Sequence, residues 1–490
     1  MSDYLPKPGS IPTLPVPDLS VIRSVHLVGI GGAGMSGIAR LFLSTGVRVT
    51  GSDLKWSPGL RQLEEAGATV TLGHSATNLE MPDAVVVSTA IPADNPEAVE
   101  ARARGIPVLA RAQVLAALMR NRRGIAVAGT HGKTTTTSMI AVLLERAGRD
   151  PTYVIGGDLN ESGSNARFGE GDLFVAEADE SDGSFLLLSP EIAVVTNVDD
   201  DHLDFYRDRH EVEAAFVAFC RRSEIVVACG DDEAALRVLQ ASGTPGITYG
   251  ESRDNDVVVE AVELRSDGGR CRVAIAGRTV DVFVPIPGRH YLRNAAAALA
   301  VGNHIGVVPE EAAHALNAFT GVRRRFERRG SSGGAEFVDD YAHHPAEVAA
   351  TLEAARTDGM RRLVAVFQPH RYSRTAALSR QLGESLSSAD LVVVTDVYGA
   401  GELPVPGISG KLVVDALLEA APGKRAVYLP RRSDVAPFLA REVRSGDLVL
   451  TLGAGDITMV GEETLARLEE GSALVRETQI RGSRAMPDRP

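Results

Sequence analysis

Cysteine is scarce: Cys220, Cys229 and Cys271 are the only three in 490 residues. Their spacing makes neither a disulfide framework nor a metal-ligand set, which predicts a reducing, cytoplasmic setting. No run approaches the roughly 20 apolar residues of a membrane-spanning helix, so no membrane partner is expected. Pro6, Pro8, Pro12, Pro15 and Pro17 mark the start of the chain, which reads as a loose arm without the apolar stretch of an export signal. Basic residues are outnumbered, 51 against 64 acidic, for a net charge of −13. That balance excludes a surface-wide field for nucleic acid. No short repeat is present, which excludes a solenoid. Lysine is nearly missing: five stand against 46 arginines, and between Lys55 and Lys411 the only one is Lys133. Any task there that needs a compact ammonium falls to that residue.

What is present is an ordinary globular composition, 44% hydrophobic and 23% charged. At roughly 150 residues per domain the length predicts about three domains. Short β-branched runs alternate with Ala/Leu-rich helical stretches, the pattern of parallel α/β domains. Each apolar run ends in a glycine or polar cluster. Val25–Val28 precedes Gly29, Val47–Thr50 precedes Ser52-Asp53, and Ala84–Val87 precedes Ser88-Thr89. Farther on, Ile125–Ala128 precedes Gly129, Leu173–Ala176 precedes Glu177, and Ile192–Val195 precedes Asn197. In the last third, Leu363–Phe367 precedes Gln368, Leu391–Val394 precedes Asp396, and Leu448–Leu450 precedes Gly453. Ligands of open α/β sheets bind beyond the carboxyl ends of strands, where these clusters fall. The charged segment Arg120–Gly124 and the stretch Gly321–Arg325 mark boundaries. The expected division is an arm over 1–20, domains over 21–120, 121–322 and 323–475, and a tail over 476–490. Three alternating runs between Val257 and Val284 predict extra antiparallel strands on the middle domain.

Gly29-Ile30-Gly31-Gly32-Ala33-Gly34 fits G-x-G-x-x-G between a strand and a helix, with Asp53 ending the next strand. A nucleoside diphosphate, a dinucleotide and a structural turn all remain open readings here. Gly129-Thr130-His131-Gly132-Lys133-Thr134-Thr135 is more specific. Its amides are placed to cradle phosphates, Lys133 to reach the β/γ-phosphates and Thr134 to ligate Mg²⁺. Val127 stands where the longer Walker pattern has its first glycine, so the loop is a shortened one, and it is expected to be exposed. Glu177-Ala178-Asp179-Glu180-Ser181-Asp182 and Asn197–His202 add carboxylates of the kind Mg²⁺ takes with phosphate and water; Glu177, then His202, are the favoured ligands. Gln368-Pro369-His370-Arg371-Tyr372-Ser373-Arg374 carries two arginines three apart, suited to a carboxylate or phosphate. Asp339–Pro345 holds a His343-His344 pair, read as lining a pocket because a closed zinc site lacks further ligands.

Taken in order, Gly29–Gly37, Gly129–Thr135, the Glu177 cluster, Asn197–Asp204, Pro287–Asn294, Arg325-Phe326, Asp339–Pro345 and Gln368–Arg374 resemble the motifs of the Mur ligase family over residues 21–470. The resemblance implies an α/β fold of three domains: an N-terminal Rossmann-like domain binding a UDP-sugar, a central P-loop-type ATPase domain with extra antiparallel strands, and a C-terminal Rossmann-like domain. It implies ATP-dependent ligation of L-alanine to UDP-N-acetylmuramate through an acyl phosphate, in peptidoglycan synthesis, by a monomer or homodimer using ATP and Mg²⁺ or Mn²⁺. By position it implies UDP-sugar contacts from Gly29, Gly31, Gly32, Gly34, Asp53, Ser88 and Thr89. ATP contacts follow for Gly129 to Thr135, Asn294, Arg325 and Asp340. Thr134, Glu177 and His202 correspond to metal ligands, with Lys133, Glu177 and His202 as catalytic groups. Tyr341, His343, Arg371 and Arg374 correspond to an amino-acid pocket. Tyr291 stands where many members carry asparagine, and no lysine after Lys133 is available in the central domain for the carbamylated lysine of other branches. Two alternatives stay in view: a ligase attaching a recycled peptide to the same UDP-sugar, and a nicotinamide-dependent dehydrogenase built on Gly29–Gly34. The dehydrogenase reading leaves the Lys133 loop unexplained.

Overall fold

Runs of valine and isoleucine buried on both faces make parallel strands, and this chain folds them into three sheets. The computed structural model describes residues 15–199, 201, 205–357 and 362–470. The first sheet is built from β1 (Ser24–Val28), β2 (Arg48–Asp53), β3 (Thr69–Leu72), β4 (Ala84–Val87) and β5 (Val108–Ala110). Its order is β3-β2-β1-β4-β5, all parallel. The order reverses at β1, so a crevice opens between the ends of β1 and β4. Gly29–Gly34 and Ser88-Thr89 follow those two strands.

The second sheet comprises β6 (Arg123–Ala128), β7 (Thr152–Val154), β8 (Ala166–Arg167), β9 (Leu173–Glu177), β10 (Ile192–Val195), β11 (Ile225–Cys229), β12 (Gly246–Gly250), β13 (Val257–Arg265), β14 (Gly268–Ile275) and β15 (Arg278–Val284). It runs β15-β14-β13-β12-β11-β10-β6-β9-β7-β8. β6 lies between β9 and β10 and is parallel to both, so the ends of these three neighbours converge. β14 and β15 pair antiparallel, as the alternating runs predict. The third sheet comprises β16 (Glu327–Ser332), β17 (Ala335–Asp340), β18 (Arg362–Phe367), β19 (Leu391–Val394), β20 (Arg425–Tyr428) and β21 (Asp447–Leu452). Its order is β16-β17-β21-β18-β19-β20, with only β16 antiparallel to its neighbour.

Two compact units result. One comprises residues up to Glu263 with Gly269–Pro285 and His290–Val322; the other comprises Leu264–Gly268, Ile286–Arg289 and the chain from Arg323 onward. The first unit thus holds the first sheet and all of the second but the turn between β13 and β14 with its flanking residues. The helix Ala33–Ser44 joins them: a Cβ at Gly37 would sit 3.0 Å from Val154, and Asn165 donates to the carbonyl of Ala33 and, at 3.0 Å, to the hydroxyl of Ser36. The helix that follows the glycine turn of one sheet is therefore seated on the edge of the next. Among the described residues no helix is long and apolar enough to cross a membrane.

Candidate active-site elements

The phosphate-type loop leaves β6 at Gly129, whose φ of +136° and contact with Thr196 admit no side chain: a Cβ would overlap the Thr196 hydroxyl. The end of β10 then grips the loop. The His131 amide donates to Asn197 Oδ1 at 2.8 Å, and Asn197 Nδ2 and Thr196 Oγ1 donate to the His131 carbonyl at 2.9 and 2.5 Å. The Asp199 amide donates to Thr130 Oγ1 at 2.9 Å. Gly132, at φ +82°, caps the helix Lys133–Arg146, and Thr134 and Thr135 are buried in its first turn. Asn294, on the helix Arg289–His304, faces this turn: a Cβ at Gly132 would lie 3.2 Å from its Oδ1. Tyr291 is buried with its ring against His290.

Lys133 is not exposed. It opens the helix, and its Nζ donates to the carbonyls of Gly129 and Thr130 (2.6 and 3.2 Å) and to Glu180 Oε1 (2.8 Å). Only 14% of its side chain and 1% of that of Glu180 meet solvent. Burial opposes the charge on Lys133, but Glu180, Asp179 and Glu177 outweigh it and hold the ammonium above its ordinary pKa. The Tyr206 hydroxyl donates to the Glu180 carbonyl at 2.7 Å and so fixes the loop that carries the acid.

Glu177 ends β9 with its carboxylate accepting the Gly156 amide at 2.8 Å; a Cβ at Gly156 would overlap that carboxylate. Asp179 is drawn down to about 2 despite its burial, because Arg111 and Lys133 lie nearby and the Ser181 amide donates to it. Asp182 moves the other way, raised by burial and by the charge of Asp179. It is anchored, accepting the Ser184 amide at 2.9 Å at the start of a short helix. His202 lies outside the described residues.

In the first sheet, the Gly29 and Ile30 amides donate to the Ser52 carbonyl, and the Gly31 amide donates to Asp53 Oδ2 at 2.9 Å. Asp53 is thereby turned into the glycine turn, bracing it. Behind the turn lies a buried acid that sequence reasoning missed. Glu97 accepts from Ser52 Oγ (2.6 Å) and Asn78 Nδ2, with His74 and His26 nitrogens at 3.3 and 3.7 Å. Burial disfavours its charge, but these donors win and pull its pKa to about 2. A folded-state value below the ordinary 4.5 means the stabilisation is complete above pH 4.5 and fades as pH falls toward 2. Glu97→Gln is expected to destabilise the protein at pH 7 by about 3 kcal/mol. Its denaturation midpoint should converge on that of the unmodified protein as the pH approaches 2; a pH-independent gap would refute the ionic origin.

The second unit gathers the remaining predicted residues around the ends of β17 and β18. Arg324 and Phe326 hold positive φ values of +61° and +49°. The guanidinium groups of Arg324 and Arg325 lie 4.9 and 5.1 Å from the Tyr341 ring centre. Asp340 accepts the Phe326 and Ala342 amides at 2.7 and 2.8 Å. Burial raises it to about 6, against the pull of Arg325. Tyr341, His343, His370 and Tyr398 form a chain of ring contacts with centres 5.3 to 6.0 Å apart. His370 is pushed to about 3 by burial and by His343, Arg374, Arg371 and Arg324, so it is neutral at pH 7. Its Nδ1 lies 3.3 Å from Arg374 Nη1, as an acceptor should. Arg371, at φ +67°, begins the helix Tyr372–Leu386 and donates its amide to the Tyr398 carbonyl. The result is a small cluster of aromatic rings edged with arginine, suited to a compact carboxylate-bearing ligand.

Comparison with known proteins follows this geometry closely. "Mur ligase family, catalytic domain" matches residues 24–123, "Mur ligase middle domain" matches 127–302, and "Mur ligase, glutamate ligase domain" matches 324–455. The UDP-N-acetylmuramate–L-alanine ligase of Pelotomaculum thermopropionicum is 48% identical over 457 residues, covering 92% of this chain and 99% of that one. The enzyme of the same name from Saccharopolyspora erythraea is 49% identical, covering 94% and 96%. Among solved structures, UDP-N-acetylmuramate-alanine ligase from Thermotoga maritima is similar with a TM-score of 0.79 at 30% identity, covering 91% and 99%. A murein peptide ligase from Psychrobacter arcticus is similar with a TM-score of 0.69 at 26% identity, covering 91% and 98%.

Proposed function

Since the chain belongs to the Mur ligase family, we propose that it joins L-alanine to the lactyl carboxylate of UDP-N-acetylmuramate, converting ATP to ADP and phosphate. The observation that carries this reading is near-full-length identity of 48–49% with alanine-adding ligases. It is supported by a phosphate-type loop in one unit and a small arginine-edged ring cluster in the other.

The chemistry follows from the reactants. A carboxylate cannot expel oxide, so it first attacks the γ-phosphate of ATP, whose bond to the bridging oxygen breaks and releases ADP. The resulting acyl phosphate is then attacked by the amine of alanine, and phosphate leaves from the tetrahedral intermediate. Such transfers need positioning and charge neutralisation above all. The Gly129–Thr135 amides and Lys133 receive the triphosphate. The ammonium is held beside the loop by the Gly129 and Thr130 carbonyls and Glu180, and an arriving phosphate oxygen takes over one of its three N–H donors. Thr134, Glu177 and His202 are the residues assigned to Mg²⁺, and the oxygen-rich set of Glu177, Asp179 and Asp182 suits a hard cation. Bound Mg²⁺ supplies neutralisation of phosphate charge. Asn294, Arg325 and Asp340 are assigned to the adenosine end of ATP and its phosphates. Gly29, Gly31, Gly32, Gly34, Ser88 and Thr89 receive the UDP-sugar, with Asp53 shaping their turn. Tyr341, His343, Arg371 and Arg374 bind the amino acid. ATP and a UDP-sugar are cytoplasmic metabolites, and the reaction is placed there.

The test is phosphate release with UDP-N-acetylmuramate and a panel of amines. Release should require both substrates, with L-alanine best, glycine and L-serine weaker, and a tripeptide inert. A preference for the tripeptide would establish the peptide-recycling activity in its place.

A further inference from the structure

Arg111 is the first residue of the helix Arg111–Met119 and so lies at the positive end of its own helix. Its guanidinium lies against Gly34, in the first turn of the helix Ala33–Ser44, where a Cβ would overlap it. A side chain at Gly34 would have to displace the arginine. Three sources of positive charge meet here: the guanidinium and the amino ends of two helices. Such a meeting of positive charge favours an anion. The chain supplies a carboxylate, Asp179, whose Oδ2 lies 3.5 Å from Arg111 Nη2. Both side chains are partly exposed, at 24% and 39%. At 3.5 Å this is a charge contact without a close hydrogen bond, and a diphosphate offers the guanidinium fork two charges and a matching set of acceptors.

We propose that Arg111 is a positioning residue for the diphosphate of the UDP-sugar, and that the arriving diphosphate takes Arg111 from Asp179. The inference rests on the reading that the Gly29–Gly34 turn receives UDP. It goes further by joining that turn to the carboxylate loop beside Lys133: Asp179 competes with substrate for one cation, so filling the UDP site frees a carboxylate beside the phosphate-type loop. Binding at the two places is then coupled, and coupling of affinities is reciprocal.

The experiment is calorimetric titration of the full chain with UDP, free of metal and ATP, with melting curves to establish folding. Arg111→Ala should weaken UDP binding at least tenfold. Asp179→Asn should act in the opposite direction and tighten it several-fold, because the competitor is gone. In the double variant the tightening should vanish, since it operates through Arg111. Equal UDP affinity in Arg111→Ala and the unmodified protein would overturn the proposal. So would failure of Asp179→Asn to tighten binding, or tightening of the same size without Arg111. Should Arg111→Ala not fold, Asp179→Asn and Arg111→Lys with Asp179→Asn decide by the same signs. Absence of UDP binding by the unmodified protein would instead overturn the reading of the turn itself.

Discussion

Lys133→Ala should abolish ligation and also weaken the fold by about 3–5 kcal/mol, the usual cost of removing one member of a buried ion pair. The second effect comes from Glu180. With 1% of its side chain exposed and the ammonium 2.8 Å away, it would be left as an uncompensated buried carboxylate. The carbonyls of Gly129 and Thr130 lose a donor at the same time. Combining Lys133→Ala with Glu180→Gln should therefore recover most of the stability and none of the activity. Lys133→Arg should also fail, because a planar fork cannot reproduce a point charge shared among two carbonyls and a carboxylate. Chemical denaturation and phosphate release measured on the same preparations separate the two roles. A Lys133→Ala protein as stable as the unmodified one would refute the buried pairing, and retained turnover would refute the phosphate role.

Arg371 is the site of the second large effect. Its truncation should raise the KM for L-alanine strongly while leaving that for the UDP-sugar nearly unchanged, a loss of about 2–5 kcal/mol in kcat/KM if the charge it meets is desolvated. The backbone supplies a further contrast. At φ +67° a residue with a side chain is strained, and such strain persists where the surroundings over-determine it. Glycine adopts this conformation without penalty. Arg371→Gly should therefore be more stable than Arg371→Ala by about 1 kcal/mol, yet no better at binding alanine. Equal stability would show that the turn imposes no strain, and unchanged alanine KM would remove the residue from the amino-acid pocket.

Much of this was legible in the sequence because strand ends and glycine turns are local features. Val25–Val28, Ala84–Val87 and Ile192–Val195 form strands, and the polar clusters after them lie at carboxyl ends as read. The parallel order that brings β6, β9 and β10 together was implied only by family resemblance, since pairing is set by contacts distant in sequence. For that reason the phosphate loop was recognised while its supports were not. Lys133 was expected on an exposed loop, but its ammonium is enclosed by the Gly129 and Thr130 carbonyls and by Glu180, which stands far along the chain after β9. Glu180 and Asp182 sit in one acidic hexapeptide whose composition does not tell a buried partner from a solvated acid. Glu97 and Arg111 stand in helices with no motif around them, and nothing short of the folded sheet shows that one meets Ser52 and the other Gly34.

The seating of the helix Ala33–Ser44 on the edge of the second sheet has a mechanical meaning. The segment Arg120–Gly124, read from the sequence as a boundary, is not the sole link between the two sheets, because Gly37, Val154 and Asn165 also join them away from it. A fragment cut after residue 120 would carry the whole glycine turn but leave its helix without a seat. Within this unit the glycine turn after β1 and the loop after β6 are thus tied through packed side chains as well as through the chain that joins their sheets.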